Sequence, residues 1–128
     1  MNLTERGPAF AEFWRERHLC TLSTVRPDGT PHVVPVGATL DLPAGIARVI
    51  TSGASRKALL VAAGADRVAL CQVDGRRWST LEGVAVVRRS AEEVLEAEQR
   101  YAERYKPPRA NPERVVLEIA ITRVLGNV

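Results

Sequence analysis

The 128-residue sequence predicts a mainly β fold, a six-stranded antiparallel barrel with peripheral helices. Three observations lead there: short runs rich in β-branched residues, connections brief enough to be hairpins or small excursions, and few segments with helical periodicity. A parallel Rossmann sheet is disfavoured, because Thr51-Ser52-Gly53-Ala54-Ser55 does not supply the Gly-x-Gly-x-x-Gly turn that such a sheet needs between strand and helix. Length agrees with one domain over residues 1–128, since two domains of half the size would each bury too little surface.

The elements follow in order. Phe10, Phe13 and Trp14 recur at helical spacing among Glu12, Arg15, Glu16 and Arg17, which reads as a short amphipathic helix covering a sheet. Leu19 to Val25 and His32 to Leu40 are two β-rich runs joined by Arg26-Pro27-Asp28-Gly29-Thr30-Pro31, a turn in which proline fixes one dihedral and glycine supplies a positive φ. Leu42-Pro43-Ala44-Gly45 turns the chain into Ile46 to Thr51, a third strand antiparallel to the second. Ser52 to Ser55 is a small-residue loop, and Arg56 to Ala63 holds good helix formers behind Ser55, a natural N-cap. Arg67 to Val73 and Arg76 to Val87 form a long hairpin across Asp74-Gly75. Ser90 and Glu93 have capping-box spacing, and Val94, Ala97, Tyr101 and Tyr105 continue a helix over Ala91 to Tyr105 that Pro107 and Pro108 end. Arg114 to Arg123 alternates and closes the sheet.

Composition removes several functional classes. No run of eighteen apolar residues occurs, and Glu5 and Arg6 interrupt the region where a signal peptide needs its apolar stretch, so a cytoplasmic protein without a membrane span is expected. The net charge of +3 rests on 16 scattered arginines rather than a basic run, and the six aromatic residues fall mostly in helical segments. Nucleic-acid binding is therefore disfavoured, because single-strand binders combine basic grooves with aromatic stacking platforms. Cys20 and Cys71 lie apart in strand-like segments and read as two buried thiols.

The chemistry-bearing stretch is Thr51-Ser52-Gly53-Ala54-Ser55-Arg56-Lys57, where hydroxyls and a glycine precede a helix whose first turn carries two cations. Helix-terminal amides and Arg56 can bind phosphate oxygens, and cations opposing the dipole at a helix start call for a compensating partner. The plainer reading is that Ser55 caps the helix and that Arg56 and Lys57 are solvated; spacing alone leaves both open. His32-Val33-Val34-Pro35-Val36 contains a proline, which places it at an edge, a bulge or a ligand-facing position. Trp78-Ser79-Thr80-Leu81-Glu82-Gly83 puts a large aromatic and a glycine in one strand, and Trp78 is equally suited to the core. His18 and His32 have no partners at metal-ligand or triad spacing, so no metal site and no catalytic constellation emerges. An enzyme with so few acids and nucleophiles in view would leave the chemistry to a bound cofactor.

These segments together resemble the pyridoxamine-phosphate-oxidase-like split barrels that bind flavin or the deazaflavin coenzyme F-420. Leu22-Ser23-Thr24 through Val36 resembles the family's first hairpin, and Ile50-Thr51 through Ser55-Arg56-Lys57 its phosphate-binding turn. Leu70 to Trp78 with Leu81-Glu82-Gly83, and Arg100 to Tyr105, are most similar to the F-420-dependent biliverdin reductase subgroup. The resemblance implies a homodimer with cofactors at the interface and the phosphate side at Ile50, Thr51, Ser55, Arg56 and Lys57. It sets the ring system against His32, Val33, Val34, Pro35 and Val36, with Trp78 reaching in from the partner subunit. It implies a reductase that moves a hydride from reduced F-420 to a conjugated acceptor such as biliverdin. An FMN-dependent oxidoreductase of the same fold, or a non-catalytic flavin- or deazaflavin-binding module, are the alternatives. One departure is that this chain reaches Val128 without the short extension after the last strand expected of the nearest members.

Overall fold

A computed structural model describes residues 1–128. After a turn of 3-10 helix at Thr4–Arg6, the chain forms α1 (Pro8–Arg15), β1 (Cys20–Val25), β2 (Pro31–Val36), β3 (Ala38–Asp41), β4 (Ile46–Ser52), α2 (Arg56–Ala62), β5 (Arg67–Asp74), β6 (Arg77–Arg88), α3 (Ala91–Arg104) and β7 (Arg114–Gly126). The strands make one antiparallel sheet in the order β2-β1-β5-β6-β7-β4-β3.

Seven strands replace the expected six, because the run from His32 to Leu40 is two strands. Its first half pairs with β1, from Cys20 opposite Val36 to Val25 opposite Pro31, and its second half pairs with β4, from Ala38 opposite Val49 to Asp41 opposite Ile46. Gly37 joins halves that occupy the two opposite edges of the sheet. The sheet must therefore curl until its edges meet at that residue, which makes it a barrel split along one seam. A bulge between Glu82 and Gly83 adds curvature, and a Cβ at Gly83 would stand 2.3 Å from the Ala120 carbonyl oxygen.

The second hairpin also differs in detail from its sequence reading. Asp74 pairs with Arg77, so Gly75 and Arg76 form the two-residue turn, with Gly75 at φ 61°. Glycine at the first central position is the arrangement of a II′ turn, whose twist suits the flanking strands.

Strand alternation sends Leu22, Val49, Leu70, Leu81, Leu117 and Ile119 inward, and α1 inserts Phe10, Phe13 and Trp14 among them, all buried. The Trp14 indole N–H donates to Ser79 Oγ at 3.1 Å, which satisfies its one polar group in the core. Gln72 and Arg104 are buried as well and bond to one another, Arg104 Nη2 to Gln72 Oε1 at 2.6 Å.

Candidate cofactor site

Where α3 ends, the chain turns back across β2 and β4 and encloses a cavity of about 580 Å³. This is within the range of ordinary ligand sites. One wall is Pro35, Val36 and Gly37; another is Ile50 and Thr51 of β4 with Lys57 of α2. The remainder comes from Tyr101 and from the segment after α3, through Lys106, Pro107, Pro108, Arg109, Asn111 and Arg114. Four cationic side chains thus line the cavity and no carboxylate does.

Of these cations only Arg114 is ion-paired, its Nη1 donating to Glu98 Oε2 at 2.6 Å while Nη2 donates to the Arg109 carbonyl at 2.7 Å. Its Nε is buried with no partner. Elsewhere most charged groups that pack near one another are matched, as Arg48 and Arg100 are around Asp41 and Glu96. Burial depresses the Lys57 ammonium below the usual lysine value, since a partly desolvated cation without a counter-charge is disfavoured. An anion placed beside it would reverse that shift.

The Ser55 hydroxyl accepts from the Ala58 amide at 3.3 Å and so caps α2, and it also accepts from Thr51 Oγ1 at 3.0 Å. Arg56 is exposed and lies outside the cavity lining. The expected set is therefore divided. Pro35, Val36, Ile50, Thr51 and Lys57 come together around one space, whereas Ser55 stands behind Thr51.

In β2 the side chains alternate, so His32, Val34 and Val36 turn inward while Val33 and Pro35 face out. His32 Nδ1 lies 3.4 Å from Thr24 Oγ1, and Val34 packs on the core. Trp78 is the second residue of β6, opposite Val73, 40% exposed and outside the lining of this cavity.

Sequence reasoning did not mark Gly37, Tyr101, Lys106, Arg109 or Arg114 as site residues. The available signal was the pair of cations flanking Pro107-Pro108, a stiff basic segment placed where a helix has to stop. Its relevance appears only once α3 folds back over β4.

A flat, partly apolar ligand bearing anionic groups fits these walls. The prolines, Val36 and Ile50 supply apolar contact, and Lys57, Lys106 and Arg109 supply unmatched positive charge. The residues present therefore fit a phosphate-bearing flavin or deazaflavin.

Comparison with known proteins agrees. A biliverdin reductase of Mycobacterium tuberculosis that depends on reduced F-420 is 53% identical over 118 residues, which cover 90% of this chain and 83% of that one. A conserved hypothetical protein of the same organism superposes with a TM-score of 0.79 at 25% identity, over 92% of this chain and 81% of the other. An F-420 reductase superposes with a TM-score of 0.73 over 93% of this chain and 98% of its own, and at 21% identity that likeness speaks for the fold alone. The family profile of pyridoxamine 5'-phosphate oxidase matches residues 7–127, so the chain belongs to that family and its sheet is a split barrel of that type.

Proposed function

We propose that this protein is a reductase that takes a hydride from reduced coenzyme F-420 and delivers it to a conjugated acceptor of the biliverdin class. The observation that carries the reading is the cavity lined by four cations and no carboxylate, set against the apolar Pro35–Gly37 wall. FMN offers one phosphate, whereas F-420 adds an acidic tail; three cations without ion-pair partners suit the more anionic molecule. The biliverdin reductase relative, at 53% identity, supports both the cofactor and the acceptor class.

The protein's own residues bind and orient. Lys57 takes a phosphate oxygen, with Thr51 beside it on β4, and Lys106 and Arg109 receive further negative charge from the other side of the cavity. Pro35, Val36 and Gly37 line the part of the cavity that receives the ring system. Bound reduced F-420 supplies the hydride, and the catalytic contribution of the chain is to hold an acceptor against it.

The working unit in this proposal is a cytoplasmic homodimer. Register places Val33, Val25, Val73, Trp78 and Leu125 on one face of the sheet, and all are substantially exposed. Pro35, opposite Thr21, stands on the same face, so the cavity opens beside an unpartnered apolar surface. A second copy on that face would bring its Trp78 towards the cofactor. Titration of the purified protein with F-420 and with FMN tests the reading. F-420 should bind and resist displacement by equimolar FMN, and a yellow protein retaining FMN through purification would transfer the site to flavin chemistry.

A further inference from the structure

At one point the sheet's ladders leave the chain unsupported. β2 keeps register with β1 as far as Val36, β3 begins its register with β4 at Ala38, and Gly37 belongs to neither. The wall formed by Pro35, Val36 and Gly37 ends at this corner.

The end of α3 supplies the missing support. The Tyr105 hydroxyl accepts from the Ala38 amide at 3.1 Å and donates to the His18 carbonyl at 2.6 Å. Arg104 Nη1 donates to the Ala38 carbonyl at 2.5 Å. Both backbone polar groups of Ala38 are thus gripped by adjacent side chains. Arg104 is held in turn, its Nε donating to the Glu16 carbonyl at 2.8 Å and its Nη2 to Gln72 Oε1.

The rings of Tyr101 and Tyr105, with centroids 4.8 Å apart, lie against Gly37. A Cβ at that position would stand 2.8 Å from Tyr101 Cε2 and 3.1 Å from Tyr105 Cε2. The end of α3 thus fixes the corner twice over, by hydrogen bonds to Ala38 and by contact of two aromatic rings with Gly37.

We propose that Tyr105 and Arg104 are positioning residues: by gripping Ala38 they fix the Gly37 corner and hold the Pro35–Gly37 wall where the cofactor's ring system must lie. The inference rests on the F-420 reading above. A wall ordered before the ligand arrives loses no freedom on binding, and that preorganisation raises affinity. It also keeps the donor in line with the acceptor, where a displacement of about an ångström slows a reaction on the order of a hundredfold. Ring packing alone would need only a phenylalanine at 105, so the hydroxyl is the part of the device to remove.

Tyr105→Phe keeps the ring and deletes both hydrogen bonds. In the cofactor-free protein, exchange of the Ala38 amide with solvent should accelerate by about tenfold or more. The dissociation constant for F-420 should rise by about three- to tenfold. Single-turnover hydride transfer to biliverdin from the saturated complex should slow by about tenfold. Lys57→Ala should raise the dissociation constant while leaving Ala38 exchange as in wild type.

Gly37→Ala disturbs the same corner by crowding the two tyrosine rings and should reproduce the pattern, which keeps the claim testable if Tyr105→Phe does not fold. Faster exchange at Ala38 with unchanged affinity and transfer rate would reduce the pair to a structural role and overturn the proposal, as would unchanged exchange in both variants. A wild-type protein that binds no F-420 would sink the functional reading, and this inference with it.

Discussion

Lys57 carries most of the electrostatic argument, and two measurements follow from its surroundings. Lys57→Ala should weaken F-420 binding by about 1.5–3 kcal/mol, the range of charge-assisted hydrogen bonds, with little change in stability. Because burial lowers its pKa, the cation that binds phosphate is lost at a lower pH than in an ordinary lysine. Affinity should be level below that pKa and fall as pH rises through it, and binding curves on the alkaline side should lose this component in Lys57→Ala.

A second titrating residue, Glu16, lies outside the cavity lining. Arg77, first, and His18 hydrogen-bond the Glu16 carboxylate and hold its pKa at about 2, against 4.5 for the free group. A depressed carboxylate pKa adds stability above the unfolded value, and that stability disappears as pH falls from about 4.5 towards 2. Melting temperature followed across that window should drop less steeply in Arg77→Gln than in wild type.

At the scale of elements, α3 does more than cover the sheet. Its buried Arg104 has no carboxylate partner and instead ties the end of α1, the start of β3 and the middle of β5 through Glu16, Ala38 and Gln72. Arg104→Met should destabilise the fold by about 2–4 kcal/mol, since it strands buried acceptors, and urea unfolding measures it directly. The periodicity of Val94, Ala97, Tyr101 and Tyr105 made the helix legible in the sequence, but nothing local distinguishes Arg104 from the solvated arginines around it.

The single strand expected from His32 to Leu40 shows a related gap. Both halves have strand propensity, and Gly37 alone records that the chain changes partners there. A change of hydrogen-bonding partner is a tertiary fact that a period-two pattern does not encode. Arg56 and Lys57 illustrate the same point within one turn: adjacent helical residues diverge by about 100°, so one faces the cavity and the other solvent.

For the whole molecule, the mainly β class and the antiparallel connections were readable because turn chemistry and alternation are local and strong, whereas the family was readable only through the resemblance of its motifs, the Ile50–Lys57 turn above all. The cavity was readable only in its first half, since Tyr101 and the 106–114 segment reach it through long-range packing. The apolar sheet face predicts a dimer in light scattering at micromolar concentration. Val73→Glu, placed in the middle of that face, should shift the protein to monomer and weaken F-420 binding with it, whereas a dimer that survives the change would move the interface elsewhere.

Hydride transfer is checked by turnover: reduced F-420 and biliverdin are mixed with the purified protein, without added metal or nicotinamide, and the visible absorbance of both is followed. The oxidised deazaflavin should reappear as the tetrapyrrole is reduced, in step with enzyme concentration. Tight binding of F-420 with no oxidation of the reduced cofactor by biliverdin, quinones or nitroaromatics would contradict it and leave a protein that binds the cofactor without using it.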